Sequence, residues 1–85
     1  MQAQNMFYTY ILKSEKDGSY YYGYTENLKT RLSEHNSGKV KYTSKHTPYI
    51  LVWYCAFLRK EQALSFEKYL KSSSGHAFAS KRFLI

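Results

Sequence analysis

The sequence predicts a mixed α/β (α+β) chain of three strands and three helices, and three observations carry that prediction. Residues 7–12 (FYTYIL) and 20–25 (YYYGYT) are dense in aromatic and β-branched side chains, which suit a pleated, half-buried surface. Between them KSEKDGS holds the Asp17-Gly18 pair, a strong turn signal. From Asn27, and again from Arg59, apolar residues recur at the three-and-four spacing of a helix. At 85 residues the chain is expected to be one domain, 1–85, because so short a chain buries only about 60% of the surface its unfolded form exposes.

The first two segments read as a β-hairpin whose register is open. With a two-residue Asp17-Gly18 loop, Tyr10 opposes Thr25; with a wider loop from Lys13 to Gly18, it opposes Tyr21. Because side chains alternate, both versions place Tyr8 and Tyr10 on the face that carries Tyr21 and Gly23.

Next, Leu28, Arg31, Leu32 and His35 fall at i, i+3, i+4 and i+7, with Thr25 or Asn27 available as N-cap and Gly38 as the stop. This predicts a helix of about three turns whose inward stripe is half apolar and half cationic. Residues 37–48 (SGKVKYTSKHTP) are expected to be a loop. Lys39, Lys41, Lys45 and His46 lie in it, either merely solvated or in contact with phosphate.

The nine residues 49–57 (YILVWYCAF) are the longest apolar run, too short to span a membrane, and they suit a buried strand. From Arg59 to Ser72 the stripe Ala63, Phe66, Glu67, Leu70 predicts a second helix. Glu67 has two readings: a core-facing carboxylate that must be paired or metal-bound, or a residue at the stripe's edge beside Lys71. The remainder breaks at Ser72 to Gly75 and then offers Phe78, Phe83 and Leu84 for a short closing helix.

Composition narrows the function. Thirteen Lys and Arg against six Asp and Glu give +7, so an anionic partner is the first expectation. The single Cys excludes an intramolecular disulfide and argues against a Cys-based zinc site. Without a signal-like start or membrane span, a reduced, cytoplasmic protein is expected. Sixteen residues are aromatic and ten of them Tyr, which suits base stacking, wet-edged packing or phenol chemistry. Phosphate-cradling glycine loops, zinc-protease motifs and Asp-x-Asp are all missing from the sequence. Six scattered acids leave room for at most one metal ion with mostly water ligands. What remains is Tyr10 and Tyr21 on one face, Arg31 and His35 one turn apart, and Glu67. That set contains what phosphodiester hydrolysis needs: a base for water, a cation for the phosphorane charge and a carboxylate for a metal.

YTY (Tyr8 to Tyr10), YYG (Tyr21 to Gly23), Arg31 ten residues after Tyr21, His35 one turn on, HNSGK (His35 to Lys39) and ALSFEKYLK around Glu67 together resemble the GIY-YIG nuclease superfamily, above all its small stand-alone bacterial members. The resemblance implies a three-stranded antiparallel sheet flanked by helices, and hydrolysis of DNA phosphodiesters with one divalent ion, Mg²⁺ or Mn²⁺. By the same resemblance Tyr10 is the favoured general base, Tyr21 orients water or phosphate, Arg31 neutralises the scissile phosphate and Glu67 binds the metal. A phenol near pKa 10 is a poor base at neutral pH, so the site is expected to lower it through Arg31, the metal or a protonated His35. Gly23 matches the glycine of YIG, where a missing Cβ is expected to let substrate or helix backbone approach.

The sequence departs from the family at Tyr8 and Thr9 in the first motif and at Tyr22 in the second. At Tyr24 repair relatives carry lysine, which turns attention to His35 or His46 as activators. No Asn follows Asn36. The expected function is a metal-dependent DNA endonuclease leaving 5′-phosphate and 3′-hydroxyl ends, structure-selective or weakly sequence-selective, with DNA repair as a setting. Lys39, Lys41, Lys45 and His46, with Lys81 and Arg82, would hold the backbone of single-stranded, flapped or nicked DNA, and a homodimer is one route to cutting both strands. The rival is a catalytically idle nucleic-acid-binding module on the same scaffold.

Overall fold

The computed structural model describes residues 5–84. Three strands, β1 (Phe7–Ser14), β2 (Tyr20–Thr25) and β3 (Tyr49–Phe57), form one antiparallel sheet in the order β2-β1-β3. Three helices, α1 (Leu28–Asn36), α2 (Lys60–Leu70) and α3 (Ser73–Arg82), flank it.

The hairpin takes neither expected register. Tyr10 opposes Gly23, midway between the two, because Gly18 adopts φ +76° and its N–H donates to the Ser14 carbonyl at 2.9 Å, giving a loop of intermediate length. The parity argument holds, since every one of these pairings puts Tyr8, Tyr10, Tyr21 and Gly23 on one face. That face is covered by α1: Tyr10, Leu12 and Tyr49 are buried against Leu28, Leu32 and Leu51. The opposite face carries α2 and α3, with Ile11, Leu70 and Ala79 at the centre and Trp53, Phe66 and Phe83 packed around them.

Helix α1 begins where the sequence says, capped by Asn27, whose side chain accepts from Thr30 N–H, and it stops at Gly38, φ +82°. Asn36, its last residue, fixes the helix to β3 by exchanging two hydrogen bonds with the Tyr49 backbone, at 2.6 and 3.1 Å. On the other face the buried Thr9 hydroxyl donates to the Ala63 carbonyl at 2.6 Å and sets the position of α2.

Two expectations are corrected. Strand β3 is an edge strand rather than a buried one, with Ile50 and Tyr54 exposed, because β1 takes the central place and, among the described residues, nothing pairs with β3 beyond it. The break after α2 is confined to Lys71 and Ser72, the latter capping α3, while Gly75 lies inside the first turn of α3. A Cβ there would collide with the Tyr69 carbonyl, so this glycine permits the close turn between the two helices.

Candidate active site

Tyr10 stands on the central strand, its phenol directed across β2 over Gly23. A Cβ at Gly23 would overlap the Tyr10 ring tip and hydroxyl. The space left by the missing side chain is therefore filled by the phenol, not by substrate or helix backbone as expected. The Tyr10 hydroxyl lies 2.9 Å from His35 Nε2. On the far side of the ring, His35 Nδ1 lies 2.7 Å from the Thr43 hydroxyl, which in turn donates to the Val40 carbonyl at 3.3 Å. Since Thr43 gives its proton to Val40, it accepts from Nδ1–H, and Nε2 is left to accept from the Tyr10 O–H. Tyr10, His35 and Thr43 are all fully or almost fully buried.

Tyr21 completes this aromatic wall. Its ring meets His35 edge-on at 4.8 Å between centroids and stands 6.3 Å from Tyr10. Arg31, one turn before His35, is about one-third exposed and its guanidinium is 3.1 Å from the Glu34 carboxylate. Glu67 approaches from α2 on the other side of the sheet. Its carboxylate is mostly covered and bonded to Lys71 Nζ at 3.1 Å, so it sits at the stripe's edge and is also paired.

The electrostatics overturn one expectation. Burial pushes the Tyr10 phenol up to about 12; Arg31 opposes the rise, while Tyr21 and Glu67 add to it. His35 is pushed down to about 4, first by burial and then by the neighbouring Arg31 charge. At neutral pH, then, Tyr10 is a neutral phenol and His35 a neutral imidazole. A protonated His35 does not supply the positive field. The Tyr10 phenol feels the charges of both Arg31, which lowers its pKa, and Glu67, which raises it.

The predicted basic residues share the loop that brings Thr43 to His35 and Tyr42 to Tyr21. Lys39, Lys41 and Lys45 are exposed on the loop after α1. His46 is partly exposed but engaged, its Nδ1 2.6 Å from an Asp17 carboxylate oxygen at the hairpin tip. A phosphate at His46 would have to compete with that carboxylate. Among the described residues no group of three or more His, Cys, Asp or Glu side chains converges as a metal cage.

Sequence reasoning missed Thr43, Glu34 and Tyr42. Thr43 and Tyr42 belong to a loop without periodicity, and only the fold carries that loop over α1 and β2. Glu34 was legible, at three residues from Arg31 on one helix.

Comparison with known proteins follows the same lines. A model of the GIY-YIG catalytic domain matches residues 6–81. A UPF0213 protein of Streptococcus pneumoniae is 48% identical over 65 residues, 75% of this chain, and the match spans 65% of that relative's own length. One from Lacticaseibacillus paracasei is 40% identical over 75 residues, 87% of this chain and 83% of that protein. The solution NMR structure of the UPF0213 protein from Bacillus halodurans superposes with a TM-score of 0.56 at 38% identity, covering 92% of this chain and 86% of the other.

Proposed function

The chain belongs to the GIY-YIG family of nucleases, and we propose that it is a metal-dependent DNA endonuclease in which Tyr10 relays a proton from the attacking water to His35. The observation that carries this reading is the 2.9 Å contact between the Tyr10 hydroxyl and His35 Nε2, with Arg31 and Glu67 both acting on the phenol.

A phenol with its pKa near 12 cannot wait as phenolate, so Tyr10 accepts a proton from water only as it passes its own to Nε2. A phosphate bound at Arg31 assists, because it offsets the cationic charge that helps depress His35. Thr43 holds the imidazole in the tautomer with Nε2 free. Water oxygen bonds to phosphorus, the bond from phosphorus to the 3′-oxygen breaks, that oxygen takes up a proton from solvent while His35 later returns its own to solvent, and the products are a 5′-phosphate and a 3′-hydroxyl. Arg31 stabilises charge on the non-bridging oxygens, and Tyr21 closes the wall beside the reacting water.

Glu67 suits one divalent ion, Mg²⁺ or Mn²⁺: it is a hard oxygen donor, largely covered, and its charge reaches the Tyr10 phenol, though Lys71 must release it. When bound, such an ion supplies Lewis-acid stabilisation of the phosphorane and leaving oxygen. The exposed Lys39, Lys41 and Lys45 hold the DNA backbone without reading sequence. A second reading, a nucleic-acid-binding module without catalysis, is favoured by the Lys71 ammonium seated on Glu67. Assaying labelled DNA with and without Mg²⁺ separates the two, because only the enzyme reading predicts EDTA-sensitive cutting that Glu67→Gln abolishes while DNA affinity persists.

A further inference from the structure

Beside the proposed cleavage site lies a cleft that shares Tyr21 and Lys71 with it and adds Tyr20, Tyr22 and Tyr42, which the mechanism above does not use. It has a volume of about 550 Å³ and is lined by Tyr20, Tyr21, Tyr22, Tyr42 and Lys71, within the roughly 300–1,000 Å³ range of small-ligand pockets. Tyr20 and Tyr22 come from one face of the sheet and Tyr21 from the other, so the cleft runs along the outer edge of β2. An edge strand leaves alternate backbone N–H and C=O groups without partners, available to a polar ligand edge.

Tyr42 is the telling residue. It is 76% exposed, an unusual state for a large aromatic ring, and its centroid stands 5.7 Å from that of Tyr21 at an interplanar angle of 44°. Packing against Tyr21 leaves much of the Tyr42 ring open. Tyr21 itself is shared, facing His35 at 4.8 Å on one side and Tyr42 on the other. Whatever enters the cleft therefore shares the Tyr21 ring with the Tyr10–His35 pair. At its end stands Lys71, whose side chain is half exposed.

We propose that this cleft is a stacking subsite for one unpaired nucleobase, the base of a nucleotide adjoining the cleaved linkage, held against Tyr42 and Tyr21 with its phosphate drawn toward Lys71. Aromatic walls offer a π-face to any base without reading its identity, and a +7 chain favours the anionic strand that carries it. A base within a duplex is stacked and paired and cannot enter. The substrate must then be single-stranded at that nucleotide, as in a single strand, a flap or a gap. This inference deepens the nuclease reading and rests on it.

The test is fluorescence anisotropy in EDTA, where no cutting occurs, with a labelled single-stranded oligodeoxynucleotide, a fully abasic strand of the same length and a duplex. Tyr42 is exposed, so Tyr42→Ala should fold normally. The expected result is about tenfold weaker single-strand binding for Tyr42→Ala, with Tyr42→Phe close to the parent and duplex binding unchanged. The abasic strand should bind the parent about tenfold more weakly than the ordinary strand, and this difference should shrink toward one in Tyr42→Ala. Equal single-strand affinity in the parent and Tyr42→Ala, or an equal loss on duplex, would overturn the subsite and leave the nuclease reading standing. A parent chain that neither binds DNA in EDTA nor cuts it with Mg²⁺ would overturn both.

Discussion

The Tyr10 phenol occupies the space in which Gly23 would carry a side chain. Glycine at this position is a condition for the site, because only over a bare backbone can a ring rooted on the central strand reach His35. Gly23→Ala should therefore displace the phenol, cost about 1–3 kcal/mol through overpacking and abolish cleavage. Thermal melting followed by circular dichroism, beside a cleavage assay, checks both effects. Unchanged melting with full activity would show that the ring does not depend on the gap.

The chain of hydrogen bonds from Tyr10 through His35 to Thr43 predicts a positioning role for Thr43. Thr43→Val keeps the shape but leaves His35 Nδ1–H buried without an acceptor, a loss of about 1–3 kcal/mol in stability. It should lower kcat more than it raises KM and alter the pH profile of cleavage, whereas Thr43→Ser should restore both. A merely structural threonine would move stability and leave the pH profile alone.

Stability should fall with acid, and the sign follows from His35. Its folded pKa of about 4 lies below the ordinary 6.5, so between those values the unfolded chain binds more protons. The contribution is complete above about pH 6.5 and is lost as pH falls toward 4, on the order of 3 kcal/mol for a fully buried group. Asp17, held well below the usual carboxylate range chiefly by hydrogen bonds from Ser19 and then by His46, loses its contribution only at lower pH. Urea unfolding from pH 7 to 4 should show the slope, and NMR titration should find the His35 imidazole still neutral near pH 5. An imidazole titrating at its ordinary value would remove the basis for the relay.

The exposed lysines predict a salt effect. Replacing Lys39, Lys41 or Lys45 by Ala should weaken binding evenly across DNA sequences and reduce the salt slope by about one for each lysine that meets a phosphate. His46→Ala should leave that slope nearly unchanged, since His46 is engaged by Asp17.

Much of this arrangement was legible in the residues. Aromatic and β-branched runs gave the strands, the Asn27 cap and Gly38 stop bounded α1, and side-chain parity put Tyr10 and Tyr21 on one face before any register was known. The register itself was not legible, because Asp17-Gly18 signals a turn without fixing how many residues the loop takes. The phenol's raised pKa was hidden for a related reason: burial is a property of the closed core, and the sequence shows the charges near Tyr10 but not the loss of water around it. Thr43 and Tyr42 sit in a segment without period, so nothing local announces their approach to His35 and Tyr21. Glu67 was ambiguous between core carboxylate and edge residue, and the fold makes it both covered and paired with Lys71.

The most direct test of the account is a cleavage assay on single-stranded, flapped and duplex DNA with Mg²⁺ or Mn²⁺, comparing the parent chain with Tyr10→Phe, Arg31→Ala and Glu67→Ala. The account predicts metal-dependent cutting by the parent chain and its loss in all three variants, each of which still binds DNA. Binding without cutting on every substrate, indifferent to all three substitutions, would contradict it and leave a basic binding module on a nuclease scaffold.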